Sequence, residues 1–200
     1  MRSRVEFYKI KINSDEKLKW VYSAEEFEKL LIEEIQGQKL IKVFVSLFGY
    51  LDSSKFGEMK WDFSYLGGTL LVVFNKSVLE LLIHGEGMIQ YRIFPAYELE
   101  YLINGRIDYP PSDIGIKGDP YYYDISKEFD DKCFGAPLKT VEVIKTDSYP
   151  FEPSSFDEKL AQEAEKKGDL PSSVDLGFEN NVTLRLVGDP LENFYMEIDE

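Results

Sequence analysis

The stretch Trp61–Phe94, WDFSYLGGTLLVVFNKSVLELLIHGEGMIQYRIF, decides the fold class. It is the densest run of β-branched and aromatic residues in the chain, and turn residues interrupt it twice. Leu70–Phe74 reads as a strand, Asn75-Lys76-Ser77 as a short turn, and Val78–Ile83 as a second strand. Gly85-Glu86-Gly87 is a second turn and Met88–Phe94 a third strand. Neither connection is long enough for a parallel crossover, so the three strands are expected to pair antiparallel as a meander. The first two strands are almost continuously apolar, which predicts cover on both faces. The third alternates, with Ile89, Tyr91 and Ile93 on one side and Gln90 and Arg92 on the other, which predicts a half-exposed strand.

Toward the N-terminus, Arg4–Asn13 alternates as a strand, with a slip at Tyr8-Lys9 that suggests a bulge. Ser23 followed by Glu26 three residues on is a capping box. The helix it opens, Ala24–Gln36, gathers Phe27, Leu30, Leu31 and Ile35 on one face and is closed by Gly37. Leu40–Leu51 is apolar enough for a central strand, residues 52–60 form a loop, and Gly67-Gly68 reads as a bend rather than a phosphate loop. After the meander, Pro95–Asn104 has the pattern of a short helix ended by Gly105. Residues 106–136 carry Pro110-Pro111 and no sustained period, and read as a long loop. Leu138–Thr146 returns to a strand, Ser148–Ser155 is a proline-containing linker, and Phe156–Lys167 a short polar helix behind Ser155 and Glu158. The chain ends in a second meander: Ser172–Glu179, a turn at Asn180-Asn181, Val182–Val187, a turn at Gly188-Asp189-Pro190, and Leu191–Ile198. The expected class is α+β, a mostly antiparallel β-sheet of two meanders with one amphipathic helix near the N-terminus and one or two short helices. The meanders fit either one sheet or two packed layers.

Two hundred residues, 44% of them apolar, suit a single domain over 1–200, with residues 147–155 as the natural point of subdivision. No run of about 18 apolar residues marks a spanning helix, and the N-terminal segment alternates like a strand rather than a secretion signal. A lone Cys133 with no Cys/His cluster leaves neither an internal disulfide nor a zinc site, and suggests a reducing cytoplasm. Net charge is −14, distributed as +1 over residues 1–50, −5 over 51–146 and −10 over 147–200. Such a field disfavours nucleic acid and anionic membrane and favours a basic protein partner, while also keeping an aromatic-rich chain soluble.

Few residues have the makings of chemistry. His84, the single histidine, ends a strand next to Glu86; as a general base it needs a positioned carboxylate and a nucleophile that no hydrolase motif supplies. Cys133 follows Asp130 and Asp131, whose charges oppose thiolate formation. Asp119, Asp124, Asp130 and Asp131 do not have calcium-loop spacing, so neither a metal nor a cofactor is expected. Tyr121, Tyr122 and Tyr123, with Asp124 beside them and Tyr109 nearby, form the most suggestive feature. On an exposed loop they make a protein-binding surface; turned inward they fill a secondary core. Asp189, Glu192 and Tyr195 repeat the aromatic-and-acidic combination near the C-terminus.

These residues point to a non-catalytic, acidic protein-binding module. In composition and organisation the chain resembles small bacterial toxin-neutralising (immunity) proteins, which are acidic, single-domain and free of catalytic motifs. The resemblance implies neutralisation by capping a toxin's active surface, with Tyr121–Asp124 and the C-terminal acids as contacts. The alternative is a small-ligand binder or hydrolase-like enzyme centred on His84 and Glu86.

Overall fold

The computed structural model describes residues 5–47, 69–83, 89–107, 121–124, 126, 134–146, 162, 166, 169–189 and 193–199. Twelve strands and one α-helix follow one another along these segments. They are β1 (Val5–Ile12), β2 (Lys19–Trp20), α1 (Ala24–Ile35), β3 (Leu40–Leu47), β4 (Thr69–Phe74), β5 (Ser77–Ile83) and β6 (Ile89–Pro95). A 3-10 turn (Ala96–Glu98) leads on to β7 (Leu99–Ile107), β8 (Tyr121–Asp124), β9 (Leu138–Thr146), β10 (Leu170–Phe178), β11 (Thr183–Asp189) and β12 (Asn193–Asp199). One sheet has the order β2-β6-β5-β4-β3-β8-β1-β7 and another the order β12-β11-β10-β9. Every strand pair in both is antiparallel. The fold is α+β, and the two meanders lie in two sheets that share one core.

That core follows from strand parity. Leu70, Val72 and Phe74 of β4, with Leu79 and Leu81 of β5, turn one face of the large sheet toward Val141, Val143, Val174, Leu176, Leu184 and Leu186 of the small one. Helix α1 adds Ala24, Phe27, Leu31 and Ile35 to the same core. It runs beside β9, the edge strand of the small sheet, where the Glu28 carboxylate accepts from Val143 N (2.8 Å) and the Gln36 amide donates to Lys139 O (2.6 Å). Side chains from the helix thus satisfy backbone groups on an edge that would otherwise be open to pairing.

The helix starts and stops as its sequence predicts. Ser23 is the N-cap and accepts from Glu26 N, a contact of the kind worth about 1 kcal/mol. Asp169, at the start of β10, reinforces it by accepting from the Ser23 hydroxyl and from Glu25 N, and it pairs with Lys145 at 2.9 Å. Burial alone would raise the Asp169 carboxyl, but these three partners together hold it below the ordinary aspartate range. Gly37 lies past the C-cap with φ +78°, and Asn181 makes the β10–β11 turn with φ 65°.

Four expectations need correction. Pro95–Asn104 is not a helix: only Ala96–Glu98 makes a 3-10 turn, and Leu99–Ile107 is a strand along β1. The i, i+2 pattern of Leu99 and Tyr101 suits that pairing, and the cross-strand partners outweigh the helix-like start at Pro95. Residues 121–124, read as part of a loop, form β8, which lies between β3 and β1 inside the large sheet. The Gln90 and Arg92 side of β6 is not a solvent face, because Arg92 pairs there with the buried Glu80. Gly188 and Asp189, read as a turn, continue β11 opposite Phe194 and Asn193. The slip in β1 falls between Phe7 and Tyr8 as a register shift. The 52–60 loop, Gly67-Gly68 and the 148–155 linker lie outside the described residues. Of the second helix only Gln162 and Lys166 are described, both helical.

Candidate functional site

The large sheet curls on itself. In a flat sheet, β7 and β3 would stand roughly 14 Å apart, three spacings of about 4.8 Å. Yet the rings of Tyr101 on β7 and Phe44 on β3 are 5.2 Å apart, centre to centre. Tyr8, Phe44, Leu71, Val73, Val78, Phe94, Leu99 and Tyr122 form a second apolar cluster within the curl, separate from the core shared with the small sheet. The segment between β1 and β2 ties the opposite margins together. Asn13 N donates to Glu98 O (2.9 Å), its side chain to Glu100 (2.8 Å), and Arg92 Nη1 to Glu16 O (3.1 Å).

Polar groups in the concave face fall into two sets. In the inner set, Glu80 on β5, only 4% exposed, faces Arg92 on the neighbouring β6 and accepts from its Nε. Nearby, Ser46 Oγ accepts from Thr69 N at 2.7 Å, and Tyr122 pairs in register with Ser46. Burial and then the Glu80 carboxylate push the Tyr122 phenol up to about 12, although Arg92 and a hydrogen bond with Thr69 pull the other way. At physiological pH this phenol is a neutral hydrogen-bonding group rather than a nucleophile.

The raised phenol has a measurable consequence. Between its ordinary value of 10.0 and about 12, an unfolded Tyr122 loses its proton while the folded one keeps it. Stability assigned to this residue is therefore complete below pH 10 and declines as pH rises toward 12. The decline is on the order of 2 kcal/mol. Urea unfolding from pH 9 to 12 should show it in the wild type and not in Tyr122→Phe; identical slopes would count against a buried, neutral phenol.

The outer set lies at the rim. Alternation along β3 puts Lys42 on the same face as Phe44, while a register shift between Leu40 and Lys42 turns Leu40 to the opposite, core-facing side. Lys42 pairs with Asp124, and its Nζ stands 5.6, 5.7 and 5.8 Å from the ring centres of Tyr8, Phe44 and Tyr101. Asp124 also accepts from Ser126 N (3.0 Å), and the Tyr8 hydroxyl approaches it at 3.5 Å. Ser126 Oγ in turn accepts from Val43 N (2.9 Å), locking β8 to β3.

Outside the curl, an open groove of about 690 Å³ is lined by residues 13–17, Lys19, Pro95 and Glu98. Tyr97, in the turn between two of its lining residues, is 82% exposed, and Leu102 on β7 is 75% exposed. Asp15, Glu16 and Glu98 supply the groove's carboxylates; of its two lysines, Lys19 is drawn to Glu16 at 3.9 Å.

The residues singled out in the sequence are dispersed. Tyr122 and Asp124 are buried in the curl, on a strand shared by Tyr121 and Tyr123, so for these two the inward-turned alternative holds and not the exposed loop. Asp189 and Tyr195 belong to β11 and β12 of the other sheet. His84, Glu86, Tyr109, Glu192, Cys133, Asp119, Asp130 and Asp131 lie outside the described residues. Sequence reasoning missed Lys42, Glu80, Tyr97 and Tyr101. For Lys42 and Glu80 there was a signal: each is a lone charge within an otherwise apolar strand, and such a charge needs a buried partner. No family model matches the chain, and no curated protein or solved structure is significantly similar to it.

Proposed function

We propose that this chain is a non-catalytic, acidic protein-binding module acting in the cytoplasm on a basic protein partner. The observation that carries the reading is the exposed Tyr97, beside the groove residue Glu98 with its fellow carboxylates Asp15 and Glu16, and the exposed Leu102 further along β7. Exposed tyrosine and leucine supply contact area, and the acidic groups select the partner's charge. The net charge of −14 adds long-range steering of a cationic surface. Toxin neutralisation of the immunity type is one role such a module fills, with these exposed residues and the groove carboxylates occluding a basic active surface.

The test is capture from lysate and secreted fractions at low salt, followed by affinity measurement on each protein retained. A basic partner should bind, weaken as salt rises, and lose at least about tenfold in affinity to Tyr97→Ala/Leu102→Ser. Equal retention by that variant, or a partner indifferent to salt, would refute the proposal.

A further inference from the structure

We propose that Tyr8, Phe44, Tyr101 and Asp124 constitute a binding site for organic ammonium groups, filled in the resting protein by the chain's own Lys42. The Lys42 nitrogen stands at nearly equal distances over three rings that pack against one another, and a carboxylate whose side chain is 2% exposed completes the site. Rings within about 6 Å of a cation attract it through their quadrupoles, and several converging on one point is the arrangement that recognises ammonium ligands. The aromatic floor of the site owes little to its occupant. Each member of the site comes from a different strand: β1, β3, β7 and β8. Tyr8 packs edge-on against Phe44 and Tyr101, at 5.2 and 5.9 Å, and Ser126 N holds Asp124. Lys42 reaches the site on a flexible four-carbon stem and is 28% exposed, and Tyr101 is itself exposed. The ammonium position is thus open to solvent where the tether enters, and an external amine competes with Lys42 for it. Alkylammonium ions and lysine side chains share the chemistry recognised.

The decisive variant is Lys42→Ala, which removes the atoms of a propylammonium ion. Calorimetry with n-propylammonium chloride, against sodium chloride at equal concentration, should show saturable binding at least about tenfold tighter than to wild type, because the internal competitor is gone. Adding Tyr101→Ala should weaken it again. A blocked Ala-Lys-Ala peptide separates the sources: binding of both probes admits lysine side chains, and binding of propylammonium alone confines the site to free amines. Binding no different from sodium chloride, or equal affinity in wild type and Lys42→Ala, overturns the proposal. Should Lys42→Ala fail to fold with Asp124 unpaired, Lys42→Ala/Asp124→Asn removes that charge and keeps the three rings. This double variant should bind tetramethylammonium saturably, and failure there overturns the proposal equally.

Discussion

Replacing Arg92 with Met is expected to lower the free energy of unfolding by roughly 3–5 kcal/mol, the loss typical when one member of a buried ion pair is removed. Glu80 is the reason. It stands between Leu71 on β4 and Arg92 on β6 in the register, and its carboxylate pairs with the Arg92 guanidinium. Met keeps much of the stem that packs near Phe94, whose ring centre lies 5.5 Å from the guanidinium carbon. The loss therefore reports the stranded carboxylate, together with the Arg92 Nη1 bond to Glu16 O, and not a cavity. Restoring neutrality with Glu80→Leu/Arg92→Met should recover most of the stability, because a well-packed apolar pair often equals a buried ionic one. A double-mutant cycle by urea unfolding reads both results. A cost below about 1 kcal/mol for Arg92→Met would mean that Glu80 finds other solvation, contrary to its burial.

Gln38→Leu is the second large effect, expected at roughly 1–3 kcal/mol because two backbone donors in part-buried hydrogen bonds lose their acceptor. One amide joins three elements here. Its nitrogen donates to Glu34 O (2.6 Å) in the helix and to Ser77 Oγ (3.0 Å), and its oxygen accepts from Lys76 N and Ser77 N, both at 3.1 Å. Its own carbonyl accepts from Leu138 N (2.7 Å) at the start of β9. Leucine has similar bulk and no polar atoms, so Lys76 N and Ser77 N are left facing an apolar group. Hydrogen exchange should accelerate at those two amides before it does elsewhere in β4 and β5. Unchanged protection there would assign the stability of the turn to other contacts.

The parts of the fold that were legible in sequence are those written locally. Ser23, Glu26 and Gly37 mark both ends of the helix within one short segment, and Asn75-Lys76 and Asn180-Asn181 mark hairpins between apolar runs. What was missed depends on partners far along the chain. β8 has four residues, too few for a period, and is a strand only because β3 and β1 flank it. Pro95–Leu102 carries helical spacing as well as strand alternation, and pairing with β1 decides between them. The inward side of β6 looked polar because Gln90 and Arg92 alternate with apolar residues, and only the opposing Glu80 shows that side to be enclosed. The same limit applies to the ammonium site, whose members sit on four strands and share no motif.

The placement of β8 also bears on synthesis. β3 is made early, but the strand that covers its flank comes much later: Lys42 and Asp124 are 82 residues apart, and Tyr8 and Asp124 116. At roughly 5–20 residues per second, Lys42 emerges from the ribosome about 4–16 s before its counter-ion. Throughout that interval the nascent chain presents an apolar strand edge, Leu40–Leu47, that nothing yet made from residues 121–124 can occupy. The lysine near its start then has a second use, as a charge that discourages neighbouring nascent chains from pairing with that edge until the tyrosine strand arrives.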